Sequence, residues 1–302
     1  MTQQDELARE FEAHRSRLVG VAYRILGSVV EAEDAVQDAW LRLAAADRSA
    51  IDEPAAWLTT VTSRLCLDRL RSARVRRETY VGPWLPEPWV QGVEAPPGPD
   101  ALVELDESVR LALLVVLEGL TPEQRVAFVL HDVFAVPFTE VADALGTSVA
   151  AARQLASRAR RAVRDHRPPP AVPLARQREV VEAFTRATLA GDLDGLLRTL
   201  APGVVLRSDG GGVVSAALRP VVGADHVARL LVGLVVRAGG APVTVVPVLV
   251  NGELGAIVEI GDAGAASAET NVVLPRVGPD GLVHGVDMVR NPEKLTRIRV
   301  PG

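Results

Sequence analysis

The stretch Phe138–Arg160, FTEVADALGTSVAAARQLASRAR, decides how the first half of the chain is read. Val141, Ala142, Leu145, Gly146, Ala152 and Leu155 occupy the apolar and small positions of two helices joined by a tight turn. Ala142 is small where the helices cross, Gly146 supplies the turn conformation, and Ser148 suits an N-cap. The polar face of the second helix carries Arg153, Gln154, Ser157, Arg158 and Arg161. Arg and Gln read base edges in a major groove, and outlying arginines neutralise phosphates. The segment therefore reads as a helix-turn-helix that binds DNA; the alternative is an amphipathic hairpin with a solvated basic face.

Upstream, Thr121-Pro122-Glu123-Gln124 combines an N-cap, a proline at the first helical position and a capping-box glutamine, so 102–167 reads as helical. Before it, residues 81–100 hold six prolines, three glycines and no Lys or Arg, the composition of a linker. Yet two of the chain's four tryptophans, Trp84 and Trp89, lie there beside Leu85, and a plain spacer has no use for them. Residues 5–78 read as three more helices. Leu7, Phe11, Leu18 and Ile25 form the stripe of the first, ending at Gly27. Ser28 and Glu31 frame a capping box for the second, whose inner stripe is Ala32, Val36, Ala39 and Leu43. Pro54 opens the third, with Leu58, Val61 and Leu65 inside.

Downstream, the period changes. Helices are expected at 180–189, 192–200 and 226–236, then strands at 243–250, 254–260, 270–277 and 282–289. Asn251-Gly252, Gly261-Asp262 and Asp280-Gly281 mark the turns between them. Helices before a meander predict an α+β domain.

Composition sets the outer bounds. The chain has 302 residues, a net charge of −5 and one cysteine, Cys66, which excludes a disulfide scaffold and a multi-cysteine zinc site. No apolar run approaches the ~20 residues of a membrane helix, and the polar start MTQQDELARE is unlike a signal peptide, so a cytoplasmic protein is expected. The acidic total hides two basic segments, 64–77 and 153–167, each with six arginines and one acid.

Three segments gain specificity when taken together. Ala32–Leu43, AEDAVQDAWLRL, presents Asp34, Gln37, Asp38 and Leu41 on the face opposite its buried stripe. Pro54–Ser72, PAAWLTTVTSRLCLDRLRS, is a basic helix with an aromatic near its start, suited to partly melted DNA. With the helix-turn-helix, these segments make residues 5–166 resemble the extracytoplasmic-function sigma factors of bacterial RNA polymerase. The resemblance implies that Asp34, Gln37, Asp38 and Leu41 dock core polymerase. It implies that Trp57, Arg64, Arg71, Arg74, Arg76 and Arg77 meet the promoter −10 element, and that Arg153, Gln154, Ser157, Arg158 and Arg161 meet the −35 element. Arg64 stands where the family often carries Asn, and Ala150, Ala151 and Ala152 leave the start of the recognition helix bare, so no promoter sequence carries over.

The tail, through GDLDGLLRTLAPGVVLRSDGGG (191–212) and its closing strands, resembles the SnoaL-like α+β cone domains, found fused to some sigma factors. The marks of that group are Trp84-Leu85-Pro86-Glu87-Pro88, then Asp209-Gly210-Gly211-Gly212 followed by Val213 in place of Lys, and Asn291-Pro292-Glu293-Lys294-Leu295 with Glu in place of Asp. The organisation expected is a multi-domain chain. Two all-α sigma domains come first: 1–80 for polymerase and the −10 element, and 102–167 for the −35 element. Residues 81–101 form a proline-rich linker and 168–175 a second linker. The cone, at 176–302, serves as a built-in regulator. Trp84, Leu85, Pro86, Trp89, Asp209, Gly210, Gly211, Asn291, Pro292 and Lys294 are the expected regulatory contacts, packing the cone against the linker and the helical domains. The function implied is an alternative sigma factor without enzymatic activity, metal or cofactor, whose partners are core RNA polymerase and promoter DNA. A small molecule in the cone stays open. So does a DNA-binding regulator with a ligand-sensing or enzymatic cone, for which Asp209, Asp225, His226, His284 and Asp287 are the candidate acid–base residues.

Overall fold

The computed structural model describes residues 3–47, 49, 51–77, 80–93, 110–165, 170, 172–262 and 268–298. The chain divides into two compact units, Met1–Glu78 with Pro96–Pro168, and Thr79–Ala95 with Pro169–Gly302.

In the first unit, local punctuation sets the helices. Helix α1 (Gln3–Leu26) stops at Gly27, whose N–H bonds Tyr23 O at 2.7 Å. Helix α2 (Val29–Ala45) starts where Ser28 Oγ accepts the Glu31 N–H, and α3 (Pro54–Arg77) starts at its proline. The expected stripes are buried: Phe11, Leu18 and Ile25 on α1, Ala32, Val36, Ala39 and Leu43 on α2, Leu58, Val61 and Leu65 on α3. Fully buried Ala32, Ala35 and Ala39 put no bulk where α2 meets its neighbours, so the helices approach closely. Helix α4 (Leu111–Glu118) precedes α5 (Pro122–Phe128), which begins with a complete Thr121–Gln124 capping box and runs into a π-helical turn at Val129–Val133. Helices α6 (Phe138–Leu145) and α7 (Val149–Asp165) follow. Helix α3 packs on α5 and α6, so the two helical blocks form one unit.

The second unit holds α8 (Leu174–Leu189), α9 (Leu193–Thr199), α10 (Ala224–Arg237) and one seven-stranded sheet. Its strands are β1 (Val90–Gly92), β2 (Leu200–Asp209), β3 (Val221–Val222), β4 (Val243–Val250), β5 (Glu253–Ile260), β6 (Glu269–Val277) and β7 (Val283–Val289). They lie in the order β1-β4-β5-β6-β7-β2-β3, antiparallel except for the parallel pair β7–β2. The four closing strands were expected; β1, β2 and β3 were not. Pro202 and Gly203 break the alternation of β2, where the register also shifts between Leu200 and Val205. The core lies between helices and sheet, where Val181, Phe184, Val227 and Leu231 meet Leu206, Leu254, Val286 and Met288. Each such side chain contributes about 1.5–3 kcal/mol by leaving water.

Candidate functional site

The helix-turn-helix is built as its residues require. Gly146 closes α6 at φ 63°, a conformation costly for any residue with a Cβ, and Thr147 N–H returns to Ala142 O at 3.0 Å. Ser148 Oγ accepts the Ala151 N–H at 3.2 Å and caps α7. Ala152, Ala156 and Ala159 turn inward, which leaves Arg153, Gln154, Ser157, Arg158 and Arg161 together on the exposed face. The Arg153 guanidinium lies 5.6 Å from the centre of the Phe138 ring, which orients it along the start of α6.

On α2, Asp34, Gln37 and Leu41 are exposed on one face, and Asp38 is half-buried beside them. The sequence reading missed Arg69, which organises this face from α3. It donates to Asp38 Oδ2 at 2.7 Å and to Glu31 O at 2.9 Å, and lies 4.0 Å from Asp34. The signal was its spacing: Arg69 lies four residues beyond Leu65 on α3, on a different face from Arg64 and Arg71.

Those two arginines face the second helical block. Arg64 Nη2 donates to Asp143 O at 2.7 Å, satisfying a carbonyl in the last turn of α6, where the helix dipole favours a cation. Arg71 reaches Glu123 Oε1 through Nε at 3.1 Å and Nη2 at 2.9 Å. Burial pushes the Glu123 carboxyl up, but its own backbone N–H at the start of α5 and Arg71 outweigh burial and hold it below the usual range. Buried Arg125 adds a third tie, donating to Ile25 O of α1 and to Leu117 O and Glu118. Trp57 is half-buried; the side chains of Arg74, Arg76 and Arg77 lie outside the described residues.

In the second unit, the three sequence marks converge on Asp209. Its carboxylate is fully buried and accepts from Tyr80 Oη at 2.6 Å, Leu85 N at 2.8 Å and Lys294 Nζ at 2.7 Å. Lys294 also donates to Leu85 O at 2.5 Å and stands 4.0 Å above the Trp84 ring. Burial, reinforced by the bond to Asp209 and its charge, pushes the Tyr80 hydroxyl far up, so it stays a donor. Asn291 Nδ2 donates to Tyr80 Oη at 3.0 Å, and Gly211, at φ 64°, turns beneath Asn291 where a Cβ has no room. Trp89 N–H donates to Asn251 Oδ1 at 3.1 Å as β1 joins the edge of β4. Tyr80, read as the end of the first sigma domain, and residues 81–93, read as linker, are thus a structural part of this unit.

The cone encloses an apolar cavity of about 360 Å³ between α8, α10 and the sheet. The candidate acid–base residues do not line it. Asp209 is committed as above, and buried Asp287 faces Arg276 at 2.8 Å and Arg207 at 3.4 Å. Asp225 pairs with Arg229, His226 Nδ1 meets Val222 O, and His284 pairs with Asp280 at the surface. Among the described residues no cluster of three His, Cys, Asp or Glu side chains is placed to hold a metal ion, and no helix is long and apolar enough to cross a membrane.

Residues 11–76 match the model of Sigma-70 region 2, and residues 110–163 match Sigma-70, region 4. The chain is 50% identical over 300 residues to the ECF RNA polymerase sigma factor SigJ of Mycobacterium tuberculosis H37Rv, covering 95% of this chain and 92% of the relative. It is 44% identical over 230 residues to the probable ECF RNA polymerase sigma factor SigI of the same species, covering 75% of this chain and 76% of the relative. The crystal structure of M. tuberculosis extracytoplasmic function sigma factor SigJ superposes with a TM-score of 0.78 at 47% identity, over 96% of this chain and 98% of that one.

Proposed function

The chain belongs to the extracytoplasmic-function family of RNA polymerase sigma factors, and from that premise we propose that its second unit regulates promoter recognition by holding the segment that joins region 2 to region 4. As a sigma factor it directs RNA polymerase to specific promoters at initiation and performs no chemistry of its own. Core polymerase docks on Asp34, Gln37, Asp38 and Leu41, with Arg69 fixing the two carboxylates. Trp57, Arg64, Arg71 and the arginines beyond them meet the −10 element, and Arg153, Gln154, Ser157, Arg158 and Arg161 meet the −35 element.

The observation that carries the regulatory reading is Asp209. It ties Tyr80, Leu85 and Lys294 together in the dry interior of the second unit. The chain between the two promoter-reading regions therefore runs through the regulator itself, and whatever shifts this anchor shifts the reach of both regions. The cavity within the same unit supports a small-molecule ligand as the input to that shift.

Run-off transcription and co-purification with core polymerase test both parts. Asp34→Arg with Gln37→Ala should abolish co-purification while the chain stays folded. Lys294→Met should leave co-purification intact and change run-off yield at least threefold. Unchanged co-purification of the first variant overturns the docking face, and an unchanged yield from the second overturns the anchor.

A further inference from the structure

The cavity in the cone has a second compartment, and the two differ in chemistry. The larger, about 360 Å³, is walled by Phe184, Leu231, Val245, Val258, Val273 and Met288. The smaller, about 320 Å³, lies beside Ser208, Arg229 and Gly233. Leu234, Arg237, Met288 and Arg290 border both.

The polar groups around this junction are not equally committed. Arg290 is neutralised by Glu269 and also bonds Asn271 Oδ1 and Ser215 O. Arg229 is held by Asp225 at 2.7 Å. The side chain of Arg237, exposed at the mouth, has neither an ion pair nor a hydrogen bond among the described residues. The partial negative charge at the end of α10, about half a unit, does not cancel it. Ser208 is 4% exposed, and its hydroxyl makes no hydrogen bond among the described residues. The oxygen itself is not sealed off; it borders the smaller compartment, where a ligand atom can reach it.

Gly233 is a second sign that the space is kept open. It sits inside α10, where glycine is the worst helix former after proline. A Cβ built there meets nothing within 4 Å, so close packing does not demand the glycine. The residue costs helix stability and leaves the smaller compartment wider.

Resting on the reading of the cone as a ligand site, we propose that the cavity takes an amphiphilic carboxylate. Its apolar body lies in the larger compartment, and its head group lies at the junction between Arg237 and Ser208. A neutral head gains nothing from the Arg237 charge, and a cationic head is repelled by it. The larger compartment equals the liquid share of roughly a dozen waters, which suits a body of about that many non-hydrogen atoms.

The test is calorimetric titration of the full-length chain with three probes of one chain length, each below its micellar concentration: decanoate, decan-1-ol and decyltrimethylammonium. Decanoate should bind at least tenfold more tightly than the alcohol, and the ammonium more weakly than either. Arg237→Gln should bring decanoate and the alcohol within about twofold of each other. Gly233→Leu should abolish binding while raising the midpoint of thermal unfolding, because it fills the smaller compartment and improves the helix. Equal binding of decanoate and decanol to the wild type, or an unchanged preference in Arg237→Gln, overturns the carboxylate assignment and leaves a ligand site of other specificity. Wild-type decanoate affinity in Gly233→Leu removes the smaller compartment from the site. No heat with any of the three probes overturns the reading of the cone as a ligand site for such molecules altogether.

Discussion

Asp209 is a charge withdrawn from water and surrounded by donors. Its neighbours replace the lost hydration: a phenol, a backbone N–H, an ammonium and, at 3.1 Å, the Gly211 N–H. Removing the carboxylate takes from the Lys294 ammonium, 13% exposed, the counter-charge that lies 2.7 Å away. Asp209→Ala should therefore destabilise the second unit by about 3–5 kcal/mol, the range for breaking a buried pair. Asp209→Asn keeps the shape and part of the hydrogen bonding and should lose about 1.5–3 kcal/mol. Urea unfolding followed by Trp84 and Trp89 fluorescence, with Trp40 and Trp57 replaced by Phe throughout, measures both. Equal midpoints for wild type and Asp209→Ala would mean that solvent reaches this carboxylate and that the anchor is weak.

At the scale of the element, α7 divides its exposed face by position. Arg153 and Gln154 lie in the first turns, the part of a recognition helix that enters the major groove, whereas Arg161 lies two turns farther on. Arg153→Ala should cost ~1–3 kcal/mol at a matched promoter and relax preference at one or two base pairs. Arg161→Ala should weaken binding to every sequence alike and lower the salt slope by about one. Titrations of matched and mismatched duplexes at several salt concentrations separate the two, and a uniform loss in both variants refutes the division. The elements that carry this face were legible in the sequence because their signals are local: a capping serine, a glycine at a helix end, alanines at helical spacing. Strands β1 and β2 were not, because a neighbour decides each of them. Val90–Gly92 becomes a strand only because β4 offers an edge, and Leu200–Asp209 pairs with β7, about 80 residues away, despite Pro202. The regulatory marks were legible as three separate motifs, but their meeting at one carboxylate is a tertiary fact. Arg69 was counted among the basic residues of α3, and only the packing of α3 on α2 shows which way it turns.

For the molecule as a whole, two of the arginines proposed to meet the promoter are in use. Arg64 and Arg71 tie α3 to α6 and α5, so DNA bound as proposed would take them from partners in the same unit, and the arrangement seen here is favoured over that one by whatever those ties are worth. The Arg71–Glu123 bond gives this a pH signature. The folded carboxyl sits below its ordinary value, so the stability it adds is fully present above the unfolded value and is lost as pH falls through the lowered folded one. Glu123→Gln should thus be less stable than wild type at neutral pH, with the gap closing through the acidic carboxylate range and shrinking in high salt. Thermal unfolding across a pH series checks the sign; a gap that widens on acidification contradicts it. A different liability follows from β1. It covers only Val248–Val250 of the outermost long strand, whose sequence VTVVPVLV is the kind that recruits other chains when its backbone is bare. Detaching Trp89–Gly92 to free the promoter-reading regions would uncover that template, and Pro247, which has no N–H to offer, is the residue beside it that limits pairing with a foreign strand. A second unit that regulates as proposed does best to loosen its hold near Tyr80 and Leu85 while keeping the β1 seam shut, because a full release would expose the cell to self-association of the chain through β4.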